Sequence, residues 1–423
     1  MKKKISLLLK NPLLTGSFLM IGGSMGINVV NYVYHLLMGR ILGPVDYGVL
    51  ASIFSLLYII SIVPQSASVT IVKFISSAKS DAERNHVSYE VIRFVRKIAF
   101  WGSVVIVIAS PIVSNFLNLP SVIPVILVAP VFYYSIITTV NQAILQGVLS
   151  FLGVVSANAI SSIGKLLIGL LLIYLGFNVS GAIFAVGLGV WFAYIASNVF
   201  LKNKVTPSSE VKSTFHLTKF FAYSGPVLLQ AFAFTSLFTI DLIIVKHFFS
   251  AYDAGVYAAL STLGKIIFFA SSPIASVMFP IVARRHSNGE SSRDILFASL
   301  LLTGIASGVF VAIYYYLPNL TITMLYGSKY TGAESALPWM GLFIAIYGFC
   351  QLLVNYFLSI GKLKIAYIPF VAALLQIVLL SVFHSSLIQV IQISLSILIC
   401  MFVLLLLILS YNQLNTNVKK TSK

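Results

Sequence analysis

Twelve long apolar runs, a one-sided distribution of Lys and Arg, and a turn that recurs half a chain later predict the fold class. It is an all-α integral membrane protein with twelve transmembrane helices in two six-helix lobes related by pseudo-two-fold symmetry. The 423-residue chain is 59% hydrophobic and 9% charged, against roughly 25% charged in soluble domains. Its net charge of +17 does not point to nucleic acid, because the basic residues lie in short segments between apolar runs. Cys350 and Cys400 both sit inside apolar runs, so they imply neither a disulfide framework nor a metal site.

The runs fall near residues 12–38, 47–75, 93–116, 120–146, 150–175 and 179–201, then 217–247, 253–283, 295–317, 335–360, 363–384 and 386–411. Each approaches or exceeds the ~20 residues that cross ~30 Å of hydrocarbon as helix. Helix is the only open-chain solution there, since each backbone polar group must find its partner within the segment. The first run is longer than a signal-peptide core and lacks a clear small-x-small cleavage site, which makes it a retained span.

Of the 27 Lys and Arg residues, 22 fall on one side of this alternation, among them Lys2–Lys4, Lys73, Arg84, Arg93, Arg96, Lys97, Lys202, Lys204, Arg284, Arg285, Arg293, Lys362 and Lys364. Arg40, Lys246 and Lys329 fall on the other, and Lys165 and Lys265 lie inside spans. The positive-inside rule then predicts a multi-pass chain with both termini cytoplasmic, and the cell membrane is its expected location. Residues 204–216, with Pro207, Ser208, Ser209 and alternating charges, read as a cytoplasmic linker between an N-terminal lobe (1–203, helices 1–6) and a C-terminal lobe (217–423, helices 7–12 and tail).

The turn Gly39 to Leu50 joins the first two spans, and Lys246 to Tyr257 repeats its punctuation: Asp46 matches Asp253, Gly48 matches Gly255 and Val49 matches Val256. Asn141 to Gly147 and Asn355 to Gly361 are a second such pair, ending the fourth and tenth spans. Six is even, so both lobes enter from the same side as parallel repeats.

Polar residues gather on stripes. Ser24, Asn28, Asn31 and His35 share one face of the first span, Asn158, Ser162 and Lys165 one face of the fifth, and Ser261, Lys265, Ser272 and Ser276 one face of the eighth. Gln230 and Asp241 lie along the seventh. Such residues glue helices together or line a wet cavity, and their recurrence in several spans favours the cavity. Lys165 and Lys265 lie about 20 Å along their spans, too deep for a side chain reaching ~6 Å to snorkel out. A mid-membrane ammonium costs ~2.5–3.5 kcal/mol, so each is expected either to pair with an acid or to face the cavity as a ligand for an anion. Asp241, the one acid well inside a span, counts ~9 Å from the outer end, a depth different from both lysines, which favours the cavity. Asp241 itself is a candidate coupling-ion site or a rim partner of Arg40 or Lys246. His35 is a weaker relay candidate.

No enzyme signature is present: no phosphate loop, no His-Glu-x-x-His, no paired-cysteine motif and no Gly-x-Ser-x-Gly elbow. What is present, in order, is Arg40 to Gly48, Ala143 to Gly147, Gly164 to Leu166, Gly181-Ala182, Asp241 before Gly255 to Tyr257, Met278 to Pro280, and Leu325 to Gly327 with Tyr330, Ala333 and Leu337. In these the sequence resembles the polysaccharide repeat-unit flippases, the O-antigen and teichoic-acid type of the multidrug/oligosaccharidyl-lipid/polysaccharide exporter superfamily. The resemblance implies a MATE-like, cofactor-free transporter that alternates access to a central cavity. Its substrate would be a polyprenyl-pyrophosphate-linked oligosaccharide moved to the external leaflet for cell-surface polysaccharide biosynthesis. Lys165 and Lys265 are then expected to meet the pyrophosphate, Asn28, Asn31, Asn158 and Gln230 to line the cavity, and Asp241, Arg40 and His35 to serve a coupling ion (H+ or Na+) or the rim. A glycan polymerase of the same pathway is the partner such a flippase implies. An ion-coupled drug or metabolite antiporter of the same superfamily, or a membrane enzyme of glycan assembly, are the alternatives. Two intramembrane lysines against one acid favour an anionic cargo.

Overall fold

The computed structural model describes residues 12–78, 80–206, 217–330 and 332–421. Most of the expected linker (its residues 207–216), and the first residues of the basic amino end, lie outside them. The described residues are helical, without strands.

Helix α1 spans Pro12–Ile60, but Gly43 interrupts it with φ 76° and ψ 177°. Only glycine enters that region without strain, and Pro44 behind it cannot extend the preceding hydrogen-bond ladder. As one rod α1 would be about 74 Å long, more than twice the hydrocarbon thickness; the break at Gly43 divides it into two passes, at the turn foreseen from Gly39 to Leu50. The second pass continues, after a bend at Ser61, into α2 (Ile62–Ser76). Pro64 explains the bend, because its ring excludes the carbonyl of residue 60.

Helix α3 (Asp81–Phe116) begins twelve residues before the expected span. Ser80 caps it, its hydroxyl accepting from the Glu83 amide at 3.1 Å, and Asp81 and Glu83 occupy the first turn, where carboxylates complement the helix dipole. A short α4 (Ile123–Ile126) and α5 (Val128–Gly147) share the fourth run, split where Pro130 removes a ladder bond. Helices α6 (Phe151–Tyr174) and α7 (Asn178–Lys202) complete the first six spans.

The second half holds α8 (Leu217–Phe248), α9 (Ala251–Ser287), α10 (Arg293–Tyr316), a short α11 (Pro318–Leu325), α12 (Leu337–Ser359), a 3-10 turn Leu363–Ala366 leading into α13 (Tyr367–Val382), and α14 (Leu387–Thr421). Ser250 caps α9 as Ser80 caps α3: its hydroxyl accepts from the Asp253 amide at 3.1 Å and meets Asp253 Oδ2 at 2.7 Å. Among the described residues eleven helical segments are long and apolar enough to cross a bilayer. The first, Gly22–Ser76, contains the Gly43 break and passes twice, which gives twelve spans.

The chain divides into two compact units, Met1–Leu228 and Leu229–Lys423, the division falling inside α8. In the first unit α2 packs on α5, α3 on α5, α5 on α7, and α6 on α7. In the second, α9 packs on α12, α10 on α12, α12 on α14, and α13 on α14. Numbered by span, these are the same four pairings, the second against the fourth, third against fourth, fourth against sixth and fifth against sixth. The repeat read from two turns thus extends to the internal packing of each unit.

Candidate functional site

In the first unit the site is built around Lys165, 9% exposed on α6. Its ammonium donates to Asn31 Oδ1 of α1 at 2.7 Å, and lies 4.6 Å from the Tyr34 ring centroid and 5.6 Å from that of Phe54. Asn31 and Tyr34 are one turn apart, so α1 presents both to the same neighbour. Tyr34 is held in turn by its hydroxyl, which donates to the Ala182 carbonyl of α7 at 3.1 Å. His35 packs edge-on against Tyr34 and Phe54, at centroid distances of 5.5 and 4.5 Å.

A close backbone approach fixes the lysine from behind. At Gly189 of α7, an added Cβ would lie 2.7 Å from the Ser161 carbonyl oxygen and 3.2 Å from Lys165 Cβ. Only a residue without a side chain lets α7 come this near.

Ion pairs among the described residues include Arg84–Asp81 and Arg285–Asp294, and none of them involves Lys165. It is a cation stabilised by one amide oxygen and two ring faces, worth ~2 kcal/mol or more per desolvated face, with its charge uncancelled. Such a group attracts an anion strongly, since Coulomb energies rise as the dielectric falls.

In the second unit Asp241 of α8 is buried, and its Oδ2 accepts from the Tyr257 hydroxyl of α9 at 2.6 Å. Lys265, two turns beyond Tyr257 on the same face, is half-buried with its ammonium 4.7 Å from the Phe238 ring centroid, and it interacts electrostatically with Asp241. Phe238 and Asp241, one turn apart on α8, face α9 together. Counting residues put Asp241 and Lys265 at different depths. Side chains narrow that gap, because each leans toward the amino end of its own helix and α8 and α9 run in opposite directions. Asp241 leans inward and Lys265 leans outward.

The remaining polar candidates divide. Asn158 accepts from Gln142 Nε2 at 2.8 Å, and Gln230 donates to Asn355 Oδ1 at 3.1 Å; each bridges two helices of its unit. Asn28 and Arg40 are exposed. Arg40 stands three residues before the Gly43 break, and Lys246, counted with the external loops, is 2% exposed. Sequence reasoning passed over Tyr34, Phe54, Phe238 and Tyr257. Tyr34 and Phe238 were within reach, each lying three residues from a chosen polar residue on the same helix; Phe54 was not, being brought in by the chain reversal at Gly43.

Solved structures similar to this chain include an inward-facing multidrug resistance MATE family transporter of the MOP superfamily, with a TM-score of 0.76 at 14% identity over 94% of this chain and 96% of that one. The Lipid II flippase MurJ in an inward closed conformation has a TM-score of 0.76 at 15% identity, over 93% of this chain and 87% of its own. A MATE crystal structure in a bent conformation has a TM-score of 0.65 at 16% identity over 99% and 98%. A search of curated protein sequences found no match. The fold is thus MATE-like, and the model of the family described as polysaccharide biosynthesis protein matches residues 37–335. Spanning the first turn, both lysines, Asp241 and the second turn, that match shows that the chain belongs to the polysaccharide biosynthesis protein family.

Proposed function

We propose that this membrane protein is a flippase for a polyprenyl-pyrophosphate-linked oligosaccharide, carrying it from the cytoplasmic to the external leaflet by alternating access and making no covalent change to it. The observation that carries the reading is the uncancelled charge of Lys165, held deep in a span by Asn31, Tyr34 and Phe54. A transporter of organic cations gains nothing from such a group, whereas a pyrophosphate headgroup is stabilised by it. Lys165 in the first unit and Lys265 in the second are the cations assigned to that headgroup. Asp241, already engaged with Tyr257 and Lys265, is the candidate for a coupling proton or sodium ion. Both termini are assigned to the cytoplasm, with residues 204–216 as the linker between lobes, and a glycan polymerase is the expected downstream partner.

The test is export of surface glycan in cells carrying Lys165→Ala or Lys265→Ala, with membrane insertion measured alongside. Loss of export with normal insertion is expected in both. Normal export in both removes the assigned roles. Drug sensitivity without any glycan phenotype on deletion replaces the flippase reading with a drug antiporter.

A further inference from the structure

Helix α3 carries a charged stripe apart from the residues around Lys165 and Asp241. Arg93, Arg96 and Lys97 are exposed on it, followed by Phe100 and Trp101, 55% and 64% exposed, then Val105, Ile108 and Ile112. Steps of three and four residues place these side chains on one face. The opposite face is packed against α5: Ala99 is fully buried, the Ser103 hydroxyl donates to the Ala129 carbonyl at 3.0 Å, and Gly102 leaves room for the Phe132 ring. The stripe is therefore left exposed, and α3 is the least buried span among the described residues.

Its height in the bilayer follows from length. Phe100 to Phe116 rises about 24 Å, most of the ~30 Å hydrocarbon layer. The change from cations to aromatics between Lys97 and Phe100 thus marks the hydrocarbon boundary, where Trp rings concentrate. The Arg84–Asp81 and Arg285–Asp294 ion pairs leave Arg93, Arg96 and Lys97 out. Glu90, the acid on the same stripe, lies one turn from Arg93 and about 10 Å along the axis from Lys97, so it offsets at most the first of the three cations. Three cations stand together at headgroup level.

We infer that this stripe is a binding site for an anionic phospholipid in the leaflet facing the basic loops, with Arg93, Arg96 and Lys97 on the headgroup phosphate and Trp101 against the glycerol region. The site requires only that α3 spans a membrane and is independent of the transported substrate. Charge complementarity selects the occupant: a second copy meeting this face by two-fold symmetry would set cations against cations, whereas an anionic leaflet attracts each of them.

The test uses the full chain with Trp191→Phe and Trp339→Phe, leaving Trp101 as the reporter, reconstituted in phosphatidylcholine vesicles containing brominated phosphatidylglycerol. Quenching of Trp101 severalfold above that expected from the lipid's mole fraction is predicted, with no excess for brominated phosphatidylcholine, and a decline as salt screens the charges. The Arg93→Gln/Arg96→Gln/Lys97→Gln variant is expected to lose the excess. Quenching at the mole fraction in the parent, or an excess that survives in the triple variant, overturns the site. Relief of quenching by micromolar inorganic pyrophosphate assigns the cations to a soluble phosphate ligand, and relief on raising protein density assigns the face to a second copy; either also overturns it. Native mass spectrometry of the unaltered chain and the triple variant gives the same decision without the tryptophan replacements: the parent is expected to retain more phosphatidylglycerol than the variant, and equal retention overturns the proposal.

Discussion

The Lys165 ammonium donates to Asn31 Oδ1 at 2.7 Å, joining the fifth span to the first through a cation and a neutral amide. Because the partner carries no charge, the pair leaves a full positive charge within the first unit. Asn31→Asp is therefore expected to abolish glycan export while stability holds or rises, because a carboxylate cancels the cation. Asn31→Ala is expected to cost about 1–3 kcal/mol by stranding a buried donor. Thermal unfolding in detergent and cellular export, measured on both variants, separate charge from structure. Full export in Asn31→Asp rules out the charge as the working feature.

Gly189 is expected to be intolerant of even one methyl group. Its Cβ would meet the Ser161 carbonyl oxygen at 2.7 Å, a backbone atom that cannot swing away. Gly189→Ala should destabilise by about 1–3 kcal/mol and disturb Lys165. Gly187→Ala on the same helix is the control, since its nearest neighbour is a Val131 methyl at 3.5 Å, an ordinary contact. Equal melting temperatures for the two variants would contradict the close approach.

Tyr257→Phe removes the hydrogen bond to Asp241 Oδ2 and is expected to lower stability by about 1.5–3 kcal/mol, the range for hydrogen bonds to charged groups. Asp241→Asn keeps an acceptor for Tyr257 and removes the charge. In proteoliposomes, flipping by the parent is expected to respond to an imposed proton or sodium gradient, and flipping by Asp241→Asn is expected not to. A response of equal size in both excludes Asp241 as the coupling site.

Gly43→Ala places a side chain at φ 76° and ψ 177°, a region that costs of order 1–3 kcal/mol for other residues. Reduced insertion or a lowered melting temperature is expected. The same change at Gly22 or Gly26, where a Cβ would touch nothing within 4 Å, should be close to neutral. Wild-type behaviour of Gly43→Ala would mean that Pro44 alone breaks α1.

How far the site could be read depends on the residue. Lys165 and Asn31 were legible because charge and amide groups in an apolar run are conspicuous whatever the fold. Their contact was not, since it joins positions far apart in sequence through the packing of α1 on α6. Asp241 and Lys265 were also conspicuous, yet residue counting set them apart. Helix-borne side chains lean along the axis, and in an antiparallel pair this leaning brings together groups whose Cα atoms differ in height.

By itself the sequence determined that the chain lies in a membrane, that it crosses twelve times, that it repeats, and where glycine and proline interrupt it. These follow from local physics: hydrocarbon demands apolar residues and internally satisfied backbone, and the backbone conformation at Gly43, φ 76° with ψ 177°, is open without strain to glycine alone. The tertiary structure alone decided which faces meet. It gave Lys165 an amide and two rings instead of an acid, set Asp241 against Tyr257, and left the cations of α3 exposed. Those outcomes depend on how ridges and small residues of distant segments fit together, and hydropathy carries no record of that fit.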